Sequence, residues 1–467
     1  MEASQVDGYL YFLLPHEVFY SLITPDNLSE FTSIGEEKPE LAARRDAWCH
    51  SMGIKDLANI VMCGLWGDSA PYSTRDSLYV LLYNCLSGRH RTRFWLTAFP
   101  KKVTCRCGCQ GKCTFQVAFD VLNWSFECLL TGRLPMKRHD LKDFEPSQDS
   151  WREKVKGLYL PCKAGVFEKR GDWAWLKQAL SLQGWKDGNR VCFRCPCTKA
   201  SMREFGLSAS WRHTIFSHRS FVADLVRANK MMPLLGLPGF QCTWIVSDMM
   251  HTGCLGVVPL AIGNFLFEIF VDMGGMVSKP EHGMGLLVSL VHQACKALGI
   301  QPPVNTLTFP MLRQDGKHIV AKFKAAESRH MLPVVRFMMC HFFKAANDRD
   351  SLKFNCLDQL CKVYETMEPA AWDPATSQPK LADAGRRFCI LYGELSRHAI
   401  DGGDIHGIHF RITPKFHMFL HCCEESTDNP RNSWAYSDES EIGLATTLAE
   451  SLHPATMPRV IMERYRL

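Results

Sequence analysis

Two apolar stretches, each ending in an aspartate, decide the fold: IVMCGLWGD at 60–68 and KGLYLPCKAGVFEKRGD at 156–172. Their apolar runs predict two buried strands. Between them, SLYVLLYNCLSG (77–88) and RTRFWLTAFP (91–100) predict two further strands that follow turn-forming breaks. The segment FQVAFDVLNWSFECLLTG (115–132) has the apolar spacing of an amphipathic helix that stops at a glycine.

A second helix, WAWLKQALSLQGW at 173–185, directly follows the fourth strand. The order of three strands, a helix, a strand and a helix is that of a ribonuclease-H-like core. We therefore expect an α/β fold in which a ribonuclease-H-like mixed sheet is interrupted by a large, mainly α-helical insertion. The expected parts are a helical lead-in (1–58), the first part of the core (59–190), the helical insertion (191–412), and the final part of the core with a C-terminal helix (413–467).

The composition is that of a protein with a large core, because 46% of the 467 residues are hydrophobic and only 22% are charged. A net charge of +6 is compatible with a phosphate-bearing partner, although many enzymes share it. The opening MEASQVDGYLYF lacks the pattern of a secretory signal, so we expect an intracellular protein whose 21 cysteines are reduced. The most apolar stretch, Val257–Phe270, is shorter than a bilayer span and carries Glu268. We expect a buried helix there and no membrane partner.

Asp68 and Asp172 are the first candidate site residues, because they end the first and the fourth predicted strand. In a ribonuclease-H-like sheet these two strand ends lie side by side. Two neighbouring carboxylates repel each other unless divalent cations neutralise them. Oxygen ligands select Mg²⁺ or Mn²⁺, and two such ions about 4 Å apart serve phosphodiester chemistry. Taken singly, Asp68 is better explained as a turn residue and Asp172 as a helix N-cap; taken as a pair at two strand ends, they favour the metal site.

A second candidate site combines Cys192 and Cys195, a CxxC pair, with His417 and His421 in TPKFHMFLH. The H-x3-H spacing puts both imidazoles on one face of a helix. Together the four residues form a Cys2His2 set, suitable for structural Zn²⁺ and split across the insertion. The alternative is a reduced, buried CxxC pair and two histidines that serve ordinary packing.

Glu439 is the candidate third acid, in SWAYSDESEIGLATTLAESLH (433–453). Ser437 is the expected N-cap of a helix with an apolar stripe, which places Glu439 in the first turn. A zinc ion bound by the Cys192–Cys195 pair and the His417–His421 pair would join the two ends of the insertion and hold this helix against the sheet. The alternative role of Glu439 is to offer favourable charge at the start of the helix.

The ordered set of these motifs resembles DDE cut-and-paste transposases whose catalytic domain is interrupted by a zinc-bearing insertion. The Transib family and its recombination-activating recombinase relatives, the CACTA superfamily and the Kyakuja-Dileera-Zisupton group are similar in this respect. The resemblance covers about 65–450 and rests on short, separated motifs: GDW ahead of CFRC, PKFH with a second histidine, and an acid-rich helix start after NPR.

The resemblance implies that Asp68, Asp172 and Glu439 hold two Mg²⁺ or Mn²⁺ ions for DNA cleavage and strand transfer. It also implies structural Zn²⁺, DNA as the partner, a nuclear location and assembly into a homo-oligomer. A D/C-x-x-H signature inside the insertion would correspond to Asp248 and His251, which equally suit a capped helix start. Glu327 is a second choice for the third acid.

A dense cysteine loop, Cys105, Cys107, Cys109 and Cys113, could bind zinc or remain reduced. Around it, basic residues alternate with aromatic ones, which would turn cations outward towards DNA phosphate or simply towards solvent. These basic residues are Arg89, Arg91, Arg93, Lys101 and Lys102.

Three classes of function follow. The first is a metal-dependent DNA strand transferase, and the second is a hydrolytic nuclease on the same core. The third is a catalytically inactive protein derived from a transposase, which binds DNA or acts as a scaffold and is stabilised by zinc. The last remains open because the 67 residues before Asp68 show no helix-turn-helix or finger pattern. The sequence also lacks P-loop, GxGxxG, HExxH and GxSxG patterns, which argues against the commonest nucleotide-binding and hydrolase folds.

Overall fold

The computed structural model describes residues 9–36, 38–90, 92–273, 280–313, 318–342, 347–404, 406–453 and 456–466. The chain is mixed α/β and divides into two compact units. We call the first the sheet unit; it consists of Met1–Gly184, Phe216–Val246 and Ala435–Leu467. The second, the helical unit, consists of Trp185–Ile215 and Ser247–Trp434.

Four strands occur within the described residues: β1 (Ile60–Pro71), β2 (Ser77–Cys85), β3 (Arg93–Pro100) and β4 (Lys163–Arg170). In chain order the α-helices are α1 (Pro15–Leu22), α2 (Ser29–Thr32), α3 (Pro39–Ser51), α4 (Lys112–Thr131), α5 (Ser150–Val155), α6 (Trp173–Leu180), α7 (His218–Arg227), α8 (Val258–Asp272), α9 (Pro280–Ala297), α10 (Phe309–Leu312), α11 (Ala325–Phe342), α12 (Asp348–Thr366), α13 (Pro374–Asp401), α14 (Pro414–Glu425), α15 (Tyr436–Glu450) and α16 (Met457–Arg466).

The strands form a mixed sheet in the order β3-β2-β1-β4, so the expected α/β class and mixed sheet are confirmed. β1 pairs antiparallel with β2 and parallel with β4, and β2 pairs antiparallel with β3. The chain between β3 and β4 contains α4 and α5, and α4 packs against β4. Phe115 of α4 meets the ring of Tyr79 edge-on, with 5.1 Å between the ring centroids.

Residues near the C-terminus complete the sheet unit. Helix α15 contacts β1, β2 and β3, and α16 contacts β3. Tyr465 of α16 stacks on Trp95 of β3, with 4.4 Å between the ring centroids and 9° between the ring planes. The sheet therefore has α4 and the C-terminal helices as its main covering elements.

The helical unit is built mainly from α8, α11, α12, α13 and α14, which pack on one another. An eight-residue π-helical segment, Met250–Val257, leads into α8. The combined helix Met250–Asp272 is long and apolar enough to cross a membrane by length and composition alone. Its most apolar window has a mean hydropathy of 2.0 and is 83% buried inside the protein, as a core helix would be. Within α8, Glu268 forms ion pairs with Lys353 and Arg349.

The compact units do not follow the expected boundaries. The helical unit begins at Trp185 and ends at Trp434, so α14, expected in the final part of the core, belongs to it. Phe216–Val246, expected inside the insertion, belongs to the sheet unit. The physical reason is backbone pairing beside β4: the Val246 N–H donates to the Lys169 carbonyl over 3.0 Å.

Candidate metal centres

The structure brings Asp68 and Asp172 together. Up to Cys63, each residue of β1 pairs with the residue 103 positions later in β4; from Gly64 the offset is 104, because a bulge places Phe167 as an extra residue. Asp172 follows Asp68 by this same offset of 104 (172 − 68), so the two acids continue the register of the parallel pair. Their carboxylate oxygens lie within 4.8 Å of each other, close enough to share a metal ion.

Glycines next to both acids allow this approach. A Cβ at Gly67 would lie 2.1 Å from Cζ2 of Trp175, and one at Gly171 would lie 2.6 Å from the carbonyl oxygen of Gly67. The Trp175 indole from α6 therefore packs against the backbone of Gly67 and Gly171, next to both acids. The repeated Gly-Asp pair was the signal in the sequence that identifies these two positions.

Each acid also has a local structural role. Asp172 is the N-cap of α6, where its side chain accepts a hydrogen bond from the Trp175 N–H over 2.6 Å. The Asp68 carboxylate accepts one from the Ser69 N–H over 2.7 Å. Asp172 therefore does act as an N-cap. Capping uses Oδ1, and a carboxylate has a second oxygen that can bind a metal ion.

Glu439 lies in the first turn of α15, which begins at Tyr436 with Ala435, rather than the expected Ser437, as its N-cap. It is half-buried and, unlike Asp68 and Asp172, belongs to none of the groups of possible metal ligands found among the described residues. Its neighbour Asp438 is fully buried and bonds Arg93 of β3, with 2.8 Å from Nε to Oδ1.

The outward direction expected for Arg93 is wrong, because this guanidinium pairs with α15. Trp95, two residues further along the strand, points to the same face, and its indole N–H donates to Glu441 over 2.9 Å. Lys101 and Lys102 are exposed, as is Arg89, whereas Arg91 lies outside the described residues.

Glu327, the second choice for a third acid, is in the helical unit, in the first turn of α11. Its carboxylate accepts the Lys324 N–H over 2.8 Å and so caps its own helix. Asp248 similarly accepts the N–H groups of Met250 and His251, and its carboxylate lies 2.5 Å from Nδ1 of His251. Asp248 therefore caps the start of a helix, which is the alternative that the sequence allowed for this residue.

Cys192, Cys195, His417 and His421 form one buried cluster within the helical unit. Both histidines lie on α14, one turn apart, as the H-x3-H spacing predicts. Sγ of Cys195 lies 3.2 Å from Nε2 of His417 and 3.4 Å from Nε2 of His421, and the two Nε2 atoms are 3.0 Å apart. Tetrahedral Zn²⁺ with two sulfur and two nitrogen ligands gives ligand separations of about 3.3–3.8 Å. The donor set and its dimensions therefore suit zinc.

The cluster has outer partners that sequence reasoning missed. Nδ1 of His421 lies 2.5 Å from Oε1 of Glu425, and Arg194 donates to the other carboxylate oxygen over 2.9 and 2.6 Å. Metal-binding histidines are commonly oriented by such a carboxylate. The i, i+4 spacing of His421 and Glu425 on one helix was the available signal.

The charges within this cluster favour the protonated, positively charged form of its two histidines. Burial alone would lower the pKa of His421, but the Cys192 thiolate and the Glu425 carboxylate outweigh it and raise the pKa to about 10. The pKa of His417 is also raised, because the thiolates of Cys192 and Cys197 outweigh the effect of burial. A buried thiolate needs a positive charge beside it. In this cluster, either protons on the imidazoles or a bound metal ion supply that charge.

The cysteine loop is a third cluster, in the sheet unit. The thiols of Cys105, Cys107, Cys109 and Cys113 all lie within 4.8 Å of one another. This group could hold a metal such as zinc.

No protein-family model matches the chain, and no match is found among curated proteins. The chemistry assigned to the three clusters therefore rests on their own residues and geometry.

Proposed function

We propose that the protein is a divalent-metal-dependent enzyme that cleaves and transfers DNA strands, of the DDE transposase type, on a ribonuclease-H-like sheet. The observation that carries this proposal is the approach of Asp68 and Asp172 within 4.8 Å, just beyond the last paired residues of the parallel strands β1 and β4. The order β3-β2-β1-β4, with β4 parallel to β1, agrees with such a sheet.

The donor set fits Mg²⁺ or Mn²⁺. Carboxylate oxygens are the protein ligands these cations prefer, and they leave coordination positions for water and phosphate. When bound at such a site, two divalent ions activate an attacking oxygen and stabilise a leaving one. Glu439 is proposed to join the pair as the third acid, since α15 contacts β1.

The residues of the chain contribute position and charge. Asp172 is held in place by its bond to the Trp175 N–H, and Asp68 by its bond to the Ser69 N–H. Asp68 lies within β1, which continues to Pro71 instead of ending at this acid, and Asp172 lies two residues after β4, so the pairing of the two strands places both acids. Such preorganisation supplies much of the rate in phosphoryl transfer.

A paired substitution separates catalysis from capping at Asp172. Asparagine caps a helix about as well as aspartate but carries no charge, whereas alanine does neither. We expect Asp172→Asn to fold normally and to lose Mn²⁺-dependent nicking of supercoiled DNA by at least about 100-fold. Asp172→Ala should lose both activity and about 1 kcal/mol of stability. Full nicking activity in a folded Asp172→Asn protein would refute the enzyme proposal.

The third acid is tested by comparing Glu439→Gln with Glu327→Gln in the same assay, with circular dichroism to confirm folding. We expect the first substitution to abolish nicking and the second to leave it unchanged. The reverse result would assign the role to Glu327, and Glu439 would then serve only at the start of α15.

A second candidate function is a catalytically inactive, domesticated descendant that binds DNA or acts as a zinc-stabilised scaffold. It is favoured by the N-cap role of Asp172 and by the position of Glu439 outside the Asp68–Asp172 group. Salt-dependent DNA binding without nicking by the wild-type protein in Mg²⁺ or Mn²⁺ would support this alternative. DNA as the partner, a nuclear location and a homo-oligomer are part of both proposals, as is Zn²⁺ in the Cys2His2 cluster.

A further inference from the structure

The loop between β3 and α4 brings four sulfur atoms within 4.8 Å of one another. The Sγ–Sγ distances are 3.6 Å for Cys105–Cys107, 3.7 Å for Cys107–Cys113, 3.5 Å for Cys109–Cys113 and 2.9 Å for Cys105–Cys109. Four thiolates around Zn²⁺ at about 2.3 Å are separated by about 3.8 Å. Three of the four distances are close to this value.

Disulfide bonds do not account for the arrangement. All four cysteines are free, and the closest sulfur pair, at 2.9 Å, is well beyond the S–S bond length of about 2.05 Å. Each thiol has more than one sulfur neighbour, as ligands of a shared ion do. A set of four sulfur donors selects Zn²⁺ or iron over the hard cations.

The backbone of the loop is built for this clustering. Gly108, Gln110 and Gly111 have φ values of 90°, 57° and 87°, so the chain turns sharply between the second and fourth cysteine. A Cβ at Gly108 would meet nothing within 4 Å. The left-handed backbone, and not close packing, therefore explains why glycine suits this position.

The cluster also caps α4, whose N-cap residue makes no side-chain hydrogen bond. The N-cap residue of α4 is Gly111, which has no side chain to accept a hydrogen bond. Instead, the backbone N–H of Cys113 donates to Sγ of Cys109 over 3.4 Å, and the N–H of Cys105 donates to the Thr114 hydroxyl over 2.9 Å. A thiolate at this place is favoured by the helix dipole.

We propose that Cys105, Cys107, Cys109 and Cys113 bind one Zn²⁺ as a tetrathiolate that caps α4 and fixes it to the end of β3. This site is independent of the proposed catalysis and of the Cys2His2 cluster. Its consequence is mechanical, because α4 carries Phe115, which packs against the sheet residues Tyr79 and Phe99.

Metal analysis of the purified full chain tests the site. We expect Cys107→Ser/Cys113→Ser to lose one zinc per chain relative to wild type; both residues are exposed, so the change leaves the core intact. Cys340→Ser, at an exposed cysteine outside the cluster, is the matched control and should lose none. Zinc content unchanged by the double substitution, or iron in place of zinc, would overturn the assignment.

Two further measurements use the same proteins. Co²⁺ added to the reduced, metal-free chain should give the thiolate charge-transfer absorption of four sulfur ligands, and this absorption should fall in the double variant but persist in Cys340→Ser. Hydrogen exchange should rise in the first turns of α4 when Cys107 and Cys113 are replaced. Unchanged exchange there would refute the capping role even if zinc binds.

Discussion

At the scale of single residues, Gly67 and Gly171 control how closely Asp68 and Asp172 approach each other. Both precede an aspartate, and both accommodate the indole of Trp175 against bare backbone. A methyl group at either position would push Trp175 away from the strand ends. Because Asp172 is the N-cap of α6, such a shift would move one acid relative to the other.

We therefore expect Gly67→Ala to destabilise the protein by about 2 kcal/mol, as overpacking of a rigid core does. The matched control is Gly443→Ala in α15, where the added Cβ meets nothing within 4 Å. Since alanine favours a helix over glycine, the control should gain up to about 1 kcal/mol. Urea denaturation measures both; equal behaviour of the two variants would contradict the packing argument.

At the scale of elements, α15 is attached to the sheet by a buried ion pair. Asp438 is fully buried, and the Arg93 side chain is only 11% exposed, so neither charge is well solvated if its partner is lost. Breaking a buried pair by removing one partner costs about 3–5 kcal/mol because a charge is left uncompensated. The docking of α15, and with it the position of Glu439, depends on this contact.

Asp438→Asn should therefore lower the free energy of unfolding by about 3 kcal/mol. Glu439→Gln, one residue further along the same helical turn and half-buried, should change it by less than about 0.5 kcal/mol. The double variant Arg93→Met/Asp438→Leu should recover part of the loss, since no buried charge remains unpaired. Equal stability of Asp438→Asn and wild type would show that the ion pair does not hold α15.

The strands and the helix that carries the two histidines can be predicted from the sequence, but the contacts between elements cannot. Continuous apolar runs predict β1 to β4, and the H-x3-H spacing predicts that His417 and His421 share a helix face. The bulge at Phe167, which brings Asp68 and Asp172 into register, leaves no pattern in the sequence. Strand alternation also cannot reveal that the Arg93 face is covered by α15, because that contact joins residues 345 positions apart.

At the scale of the whole molecule, buried titratable groups set how the protein responds to acid. His16 of α1 is 1% exposed, and its Nδ1 lies 2.8 Å from the Ser125 hydroxyl of α4. Burial, with help from the nearby Arg152, lowers the pKa of His16 to about 3. The unfolded chain, with an imidazole pKa near 6.5, binds a proton that the folded protein does not bind between about pH 6.5 and 3.

Stability must therefore fall as the pH falls through this window, because protonation favours the unfolded chain. Between pH 7.5 and 5, His16 alone should account for about 2 kcal/mol of this loss. His16→Asn removes the titration, so its stability should fall less than that of the wild type over the same range. Urea denaturation at the two pH values measures the difference; an equal loss in both proteins would contradict the burial argument.

The two units differ in what zinc would do for them. In the helical unit, the Cys2His2 cluster joins the Cys192–Cys195 segment to α14, and α14 packs on α13. A metal ion shared by segments more than 200 positions apart closes a long loop, and structural zinc adds binding energy directly to folding. The sheet unit has its own hydrophobic core around β1 to β4, built from residues outside this cluster.

Removing this zinc should therefore weaken the helical unit selectively. We expect Cys195→Ser/His421→Ala to lose one zinc per chain and at least about 3 kcal/mol of local stability, seen as faster hydrogen exchange in α13 and α14. Exchange in β1 to β4 should stay within error, and Cys340→Ser, in the same unit, should behave as wild type. The cluster would be an ordinary packed core if exchange rose without loss of zinc. An equal rise in exchange in both units would show that they do not keep separate cores, because separate cores unfold separately.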